Sequence, residues 1–373
     1  MNIPFINLNA QYKAYKQEID EAMANVLNSS QYIMGEDMSA LERELSAFCG
    51  AKYVRVVSSG TDALLLSLMA LDIKQGDEVI TSPFTFIATA EMIALLGGKP
   101  VFVDIDERTY NIDPTKIESA ITPSTKAIIP VSLYGLCADM DSINAIAKAH
   151  KIAVVEDGCQ SFGATYKGRF SCNLSSIGTT SFFPSKPLGC YGDGGAVFCN
   201  DEKLDSKIGS LLNHGQIARY VHKYIGLNAR LDSLQCAILR VKLKHFAKEC
   251  EVRTQKAQTY AKGLKNLILP FVPQDYQSVY AQYSVRLEAN LSKEGAREQV
   301  CEQLSKKGVP TAVHYPIPLH LQESLAYLGY KEGDFPVSEK IAKEIFSLPF
   351  SAFLSSQEQE HIIQSLNAIT DSL

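Results

Sequence analysis

The chain has 373 residues, a formal net charge of −5 and a pI of about 5.9. A hydrophobic fraction of 46% and a charged fraction of 21% are ordinary for a globular enzyme, and a chain this long can bury a large core. The lack of a basic surplus argues against nucleic acid or an anionic membrane as a partner. The sequence has no signal-like start and no bilayer-length apolar run, so we predict a cytoplasmic protein.

Strand-like and helix-like segments alternate through the first 160 residues. In chain order, the pattern predicts helix over 13–29 and 37–49, strand over 53–57, helix over 63–71, strand over 78–81, helix over 89–96, strands over 100–104 and 127–131, helix over 140–150 and strand over 153–157. This alternation predicts an α/β fold with a mostly parallel sheet between helices. Nine cysteines without a CxxC pair are typical of reduced thiols, and no metal site is predicted.

The pattern changes beyond about residue 235. A long charged helix is predicted over 238–264, followed by a strand over 282–287 and helices around 293–306 and 357–372. We therefore predict a large domain over 1–245 and a smaller C-terminal α+β domain over 246–373. Ligands of open parallel sheets bind beyond the carboxyl ends of the strands, so the segments that follow the strands are the candidate site.

The first such segment runs from Ser58 to Ala63. Small residues between a strand and a helix leave backbone N–H groups free, and the helix dipole favours an anion such as phosphate there. The alternative is that Ser, Gly and Thr serve only to cap the helix.

The second segment begins at Asp157, at the end of an apolar strand. A buried carboxylate needs a cation or hydrogen-bond donors, and a protonated pyridine nitrogen of pyridoxal phosphate (PLP) is a suitable cation. The commoner role for Asp at such a junction is to cap a helix.

The third segment carries Lys186 in a loop rich in Gly, Pro and Ser. Partial burial lowers the pKa of an amine and makes it nucleophilic, so Lys186 is a candidate to hold PLP as a Schiff base. The alternative is an ordinary surface lysine.

The order of these segments along the chain is that of fold-type I PLP enzymes. Their sequence motifs resemble those of the DegT/DnrJ/StrS family of nucleotide-sugar aminotransferases. The matching stretches span nearly the whole chain: Gly60-Thr61-Asp62-Ala63, residues 83–89, Val155-Glu156-Asp157 with Gln160, Ser181-Phe182-Phe183-Pro184-Ser185-Lys186, Gly192-Asp193-Gly194-Gly195-Ala196 and His314-Tyr315-Pro316. Many members have two alanines where this chain has Gly158 and Cys159; both are small, so we expect the pocket to tolerate them.

The resemblance implies a role for each matching residue around the cofactor. Lys186 binds PLP covalently and moves the proton, Asp157 pairs with the pyridine nitrogen, Gln160 lies by the 3-hydroxyl, and Phe86 stacks on the ring. The residues implied to hold the phosphate are Gly60, Thr61 and Ser181. From the residues alone, Phe86 is nearly as well explained as a core aromatic.

The resemblance also implies an obligate homodimer with shared active sites. Asn228 matches the family residue that reaches the phosphate of the neighbouring subunit. Arg230, in the same stretch, can clamp a carboxylate of the sugar or of glutamate, or it can simply pair with Asp232 on a solvated surface. His314 and Tyr315 are expected to contact the sugar nucleotide. His214 is a further candidate, with an ordinary structural histidine as the alternative.

The implied reaction passes the amino group of L-glutamate, through pyridoxamine phosphate, to a keto-sugar on UDP or dTDP and releases 2-oxoglutarate. Several stretches, among them 166–174 and 313–318, resemble members that aminate a UDP-linked N-acetylated 3-keto-glucuronic acid in O-antigen synthesis. A dTDP-3-keto-6-deoxyhexose is the alternative substrate. A sugar dehydratase on this fold would carry histidine at the lysine position, and a non-catalytic sensor would form no bond to PLP.

Overall fold

The computed structural model describes residues 3–373. Its helices are α1 Leu8–Ser29, α2 Glu36–Cys49, α3 Gly60–Ala70, α4 Ala88–Leu95, α5 Met140–His150, α6 Glu202–Leu211, α7 Ser233–Gly263, α8 Ala296–Lys306, α9 Pro336–Glu344 and α10 Ser356–Thr370. Its strands are β1 Tyr53–Val57, β2 Glu78–Thr81, β3 Lys99–Phe102, β4 Thr125–Ile128, β5 Ala153–Asp157, β6 Thr165–Tyr166, β7 Arg169–Phe170, β8 Ile177–Ser181, β9 Gly195–Cys199, β10 Gln216–Ala218, β11 Val221–His222, β12 Leu267–Ile268, β13 Tyr276–Gln277, β14 Tyr283–Leu287 and β15 Phe346–Leu348.

A seven-stranded sheet in the order β1-β9-β8-β5-β4-β2-β3 forms the centre of the molecule. The pairs from β8 to β3 are parallel, and β9 runs antiparallel to both β8 and β1. The predicted α/β fold with a mostly parallel sheet is therefore confirmed. Helix α3 is apolar nearly all round because it packs against the sheet, α4 and α6.

Strands β8 and β9 and helix α6 had no counterpart in the sequence prediction. Strand β8 reads Ile-Gly-Thr-Thr-Ser, which has neither an apolar run nor an alternating pattern. The hydroxyls of Thr179 and Thr180 donate to the backbone carbonyls of Glu156 and Gly158, at 3.0 and 3.1 Å. A Cβ on Gly178 would lie 2.0 Å from the carbonyl oxygen of Cys172. Close backbone packing at Gly178 and the threonine hydrogen bonds, not the intrinsic strand propensity of these residues, make this segment a strand.

The C-terminal part has its own apolar core. Strands β12, β14 and β15 form a three-stranded antiparallel sheet, against which α8, α10 and the end of α7 pack. Residue 245, the predicted domain boundary, lies inside α7, and the two-domain division stays a prediction. None of the helices in residues 3–373 has the length and apolar character that a bilayer span requires.

Candidate active site

A cavity of about 490 Å³ lies where β5, β8 and the start of α3 meet. This is the carboxyl edge of the parallel strands, where the sequence predicted a ligand site. The structure brings most of the predicted residues to its wall: Gly60, Thr61, Phe86, Asp157, Gln160, Ser181, Lys186, His314 and Tyr315.

One end of the cavity is formed by the first turn of α3. The Ser59 side chain caps this helix by accepting a hydrogen bond from the Asp62 N–H at 3.0 Å, so the capping interpretation is correct. Capping does not exclude anion binding, because the N–H groups of Gly60 and Thr61 at the helix start have no intrahelical acceptor. A Cβ on Gly60 would lie 2.7 Å from the Cβ of Ser181. Glycine therefore lets the turn approach the end of β8 and forms a cradle that fits a phosphate.

Asp157 is 4% exposed and lies at the end of β5. Its Oδ2 accepts from the Thr89 hydroxyl at 2.8 Å, and its Oδ1 accepts from the Cys159 N–H at 3.1 Å. No helix begins directly after Asp157, since the next regular element is strand β6, so the residue is not a helix cap. Both donors are neutral, and no ion pair to this carboxylate forms within residues 3–373. Because a buried carboxylate is best stabilised by a cation, the site fits a protonated ring nitrogen.

Lys186 lines the same cavity from the loop that follows β8. Its backbone N–H donates to the Phe183 carbonyl at 2.8 Å, which fixes the loop around it. Burial lowers the pKa of Lys186 below its ordinary value of 10.5, while the charge of Asp157 opposes that shift. Lys186 is therefore not a surface lysine, and burial favours the neutral, nucleophilic amine.

Gln160 joins three parts of the wall. The side chain is 3% exposed; its Oε1 accepts from the Tyr134 N–H at 2.8 Å, and its Nε2 donates to the Tyr315 hydroxyl at 3.1 Å. Burial, with the nearby charge of Asp157, raises the pKa of Tyr315, so the phenol stays protonated at neutral pH. Gln160 thereby places a phenol close to the Asp157 end of the cavity.

His314 approaches the cavity from the C-terminal part of the chain. Residue Ala312 pairs with Ser347, and the His314 Nδ1 lies 3.2 Å from the Ser347 hydroxyl. The His314 carbonyl accepts a hydrogen bond from the Tyr134 hydroxyl. Burial, and then the charge of Lys186, lowers the pKa of His314 below 6.5. The imidazole is therefore neutral at pH 7 and can donate or accept a hydrogen bond.

Phe86 is 54% exposed although its ring is large and apolar. It lines the cavity, and its ring centroid lies 6.3 Å from that of Tyr315. The alternative prediction of an ordinary core aromatic is wrong, because the ring faces the cavity and not the core.

Asn228, Arg230 and His214 lie outside the cavity wall. Asn228 is exposed and forms a β-bridge with Asn213, and the Arg230 Nη1 donates to the Asn213 side chain at 2.5 Å. The Arg230 Nε is buried and has no hydrogen-bond partner in the described chain, and no ion pair forms there between Arg230 and Asp232. The backbone N–H of His214 donates to the Leu227 carbonyl, so the backbone at this position has a structural role.

The cavity wall also contains residues without an assigned role in the sequence analysis, among them Thr89, Cys159 and Gln282. Thr89 binds Asp157, Cys159 flanks the same carboxylate, and Gln282 contributes from just before β14. Thr89 ends the matching stretch 83–89 but had no role assigned to it, and Gln282 was predicted only to begin a strand. The Thr89–Asp157 hydrogen bond joins residues 68 positions apart, and the fold alone brings Thr89 and Gln282 to the cavity.

The model of the DegT/DnrJ/EryC1/StrS aminotransferase family matches residues 13–367. The chain is 51% identical over 366 residues to the UDP-2-acetamido-2-deoxy-3-oxo-D-glucuronate aminotransferase of Pseudomonas aeruginosa, covering 98% of this chain and 99% of that protein. It is 41% identical over 367 residues to the dTDP-3-amino-3,6-dideoxy-alpha-D-galactopyranose transaminase of Aneurinibacillus thermoaerophilus, covering 98% and 99%.

Solved structures agree with this similarity along the whole chain. A DegT DnrJ EryC1 StrS aminotransferase from Brucella abortus superposes with a TM-score of 0.95 at 37% identity, covering 99% of this chain and 100% of that one. NtdA from Bacillus subtilis with bound cofactor PMP superposes with a TM-score of 0.91 at 30% identity, covering 99% and 85%.

Proposed function

Because the chain belongs to the DegT/DnrJ/EryC1/StrS aminotransferase family, we propose that it moves the amino group of L-glutamate to the 3-keto carbon of UDP-2-acetamido-2-deoxy-3-oxo-glucuronate. The observation that carries this choice of sugar is the 51% identity to the Pseudomonas aeruginosa enzyme over nearly the full length of both chains. The cavity supports PLP chemistry, because its wall combines a partly buried amine, a buried carboxylate and a helix N-terminus.

The enzyme is a PLP-dependent aminotransferase. When bound, PLP supplies an electron sink that makes a carbon-bound proton of the substrate acidic. In the proposed arrangement, the backbone of Gly60 and Thr61 with the Ser181 hydroxyl would hold the phosphate. Asp157 would hold the ring nitrogen protonated, and Phe86 would cover one face of the ring.

Lys186 carries the proton in this proposal. Its Nζ would take the proton from the substrate carbon in the glutamate half of the reaction, and would return a proton to the sugar carbon in the second half. An amine can do both near neutral pH only if its pKa lies well below 10.5, and burial moves the pKa of Lys186 in that direction. The neutral His314 and the protonated Tyr315 would bind the sugar nucleotide without adding charge beside Lys186.

A homodimer with shared active sites is part of the proposal. The hairpin formed by β10 and β11 and the loop after it expose apolar side chains, with Tyr220 80% and Ile225 91% exposed. Such a patch is typical of a protein–protein interface. Asn228 and Arg230 follow this patch directly and lie outside the cavity of their own chain. We propose that the patch packs on a second copy and delivers both residues to that copy's cavity.

The oligomer can be tested without substrate. We expect Ile225→Asp to shift the protein from dimer to monomer in light scattering coupled to size exclusion, because it buries a charge in the interface. Lys223→Ala, an exposed position on the same segment, is the matched control. A monomeric wild type, or an unchanged mass for Ile225→Asp, would contradict the proposed interface.

We place the reaction in the cytoplasm and in bacterial surface polysaccharide synthesis, including O-antigen. All nine cysteines lie in the described part of the chain and carry free thiols, which suits a reducing compartment. Loss of a surface glycan on gene deletion, restored by wild type but not by Lys186→Ala, would support this placement.

The sugar is tested by coupled assays that supply the UDP-3-keto-uronate or a dTDP-3-keto-6-deoxyhexose with glutamate. We expect turnover of the uronate and a large loss of its kcat/KM in Arg230→Ala, because a guanidinium binds a carboxylate bidentately. The dTDP sugar is the second candidate because of the 41% identity to the Aneurinibacillus thermoaerophilus transaminase. Turnover of the dTDP sugar without turnover of the uronate would refute the first choice.

A further inference from the structure

A buried lysine on helix α7 contacts the loop that carries Lys186. Lys242 is only 2% exposed, and its Nζ donates a hydrogen bond to the Gly189 carbonyl. The same nitrogen lies 5.1 Å from the centre of the Tyr191 ring. A lysine is almost never fully buried without a specific partner, because a buried charge is costly. This placement therefore indicates a role for the contact with Gly189.

The side chain of Lys242 is charged at neutral pH although it is buried. Burial lowers the pKa of Lys242 to about 8, and the charge of Glu249 opposes that shift. Glu249 is 4% exposed and is fixed by the Gln11 Nε2, which donates to its two oxygens at 3.1 and 3.0 Å. A charged donor makes a stronger hydrogen bond to a carbonyl than a neutral donor does. The ammonium of Lys242 therefore holds Gly189 firmly.

The tight fold of the loop passes this contact on to Lys186. A Cβ on Gly189 would lie 2.6 Å from the carbonyl oxygens of Phe183 and Pro184, so the backbone at Gly189 packs directly on these two residues. The Phe183 carbonyl in turn accepts from the Lys186 N–H at 2.8 Å. A shift of Gly189 would therefore shift the group that fixes the backbone of Lys186.

Packing alone does not hold the loop on the side away from the cavity. Lys186 lines the cavity and also, with Pro184 and Pro187, a separate void of about 10 Å³. The two prolines have no N–H with which to anchor the loop. Helix α7 supplies a second anchor just after the loop, since the Gln235 Oε1 accepts from the Tyr191 N–H at 2.8 Å. The loop thus depends on hydrogen bonds from α7, and the void leaves it room to move without them.

We propose that Lys242 is a positioning residue for Lys186: its ammonium fixes Gly189 and thereby holds the loop so that the Lys186 amine faces the cofactor. Lys242 lies outside the cavity wall, so it would touch neither substrate nor cofactor. This inference rests on the proposed function, because it requires Lys186 to be the residue that binds PLP. It assigns no proton transfer to Lys242.

A double-mutant cycle on PLP affinity tests this role, by calorimetric titration of PLP into full-length protein freed of cofactor. Lys242→Met removes the ammonium but keeps an unbranched side chain, and it is expected to raise the Kd for PLP about tenfold. In a Lys186→Ala background the same change is expected to alter the Kd by less than about twofold, because a group that acts only through Lys186 then has nothing to position. Lys244→Met, an exposed lysine on the same helix, is the matched control.

The glutamate half reaction gives a second readout. With Lys242→Met, the limiting single-turnover rate is expected to fall about tenfold while the half-saturating glutamate concentration stays within about twofold, because the reacting amine is misplaced but the groups that bind glutamate are intact. Ile362→Val, in the buried C-terminal core, controls for a modest loss of stability and should change neither quantity.

Each other outcome contradicts the inference. An equal rise of the Kd in both backgrounds would assign Lys242 to the cavity as a whole, and no rise in either would leave it a purely structural lysine. If Lys242→Met does not fold, Lys242→Gln, which is polar but one bond shorter, undergoes the same cycle with the same expected direction. Failure of the proposed function is distinguishable, because then Lys186→Ala alone would bind PLP as tightly as the wild type.

Discussion

The cavity wall around Lys186 and the segment around Arg230 are both proposed to serve one active site, but the fold places them in different surroundings. The wall around Lys186 is assembled within one chain, since β5 and β8 end, and α3 begins, at the same edge of the sheet. The segment around Arg230 lies away from that cavity, next to an exposed apolar hairpin, and its guanidinium Nε has no partner in the described residues. One copy contains the whole wall, whereas the proposed role of the segment depends on a second copy.

This difference suggests that the two regions fail in different ways when they are mutated. Changes in the wall should damage every site regardless of the partner chain. Changes in the segment should be rescued by a partner that carries the intact segment. The following expectations run from the largest effect to the smallest.

Lys186→Ala should cause the largest loss, about 10³-fold or more in kcat, because it removes the covalent anchor and the proton carrier together. The rate of glutamate-dependent amination measures it, and the visible absorption band after addition of PLP provides a second readout. Lys203→Ala, on the exposed face of α6, is the control. A Lys186→Ala protein with an unchanged band and rate would refute the assignment of the whole wall.

Asp157→Asn should lower kcat by about 10²-fold, because a neutral amide cannot keep the ring nitrogen protonated. Its size is close to that of the carboxylate, and the amide oxygen can still accept from the Cys159 N–H while the amide NH2 donates to the Thr89 hydroxyl, so the fold should survive. Steady-state kinetics measure the loss, with thermal unfolding as the check on stability. Asp141→Asn, an exposed ion-pair residue on α5, should leave kcat unchanged.

A mixture of Arg230→Ala and Lys186→Ala chains tests the comparison directly. If Arg230 serves the neighbouring cavity, each mixed dimer regains one intact site, and random mixing should restore about a quarter of the wild-type activity. The measurement is the amination rate after co-expression, against each variant alone. Activity that stays at the level of the better single variant would place Arg230 in the cavity of its own chain.

Cys159→Ala should have the smallest effect, within about twofold in kcat. Its thiol lines the cavity, but burial raises its pKa well above the usual value, so no thiolate acts there at neutral pH. What the position requires is a small side chain and the N–H that donates to Asp157. A tenfold loss would show that the wall beside Asp157 is more specific than its neutral donors indicate.

The sequence predicted most of the wall because Lys186, Asp157 and Gly60 lie in short local patterns next to strand ends. It did not predict Thr89 as the partner of Asp157, because that hydrogen bond joins residues 68 positions apart. It did not predict β8 either, because the strand is held by threonine hydroxyls and a glycine contact that carry no hydrophobic period.

By itself the sequence determined the fold class and the cofactor and predicted Lys186 as the lysine that binds it, because local patterns and motifs are properties of neighbouring residues. The tertiary structure alone decided that Phe86 faces the cavity, that Gln160 connects Tyr134 to Tyr315, and that the amide of Gln282 is left without a donor. These features depend on contacts between segments that are distant in the chain. Such contacts form only when the sheet and the C-terminal core are packed together.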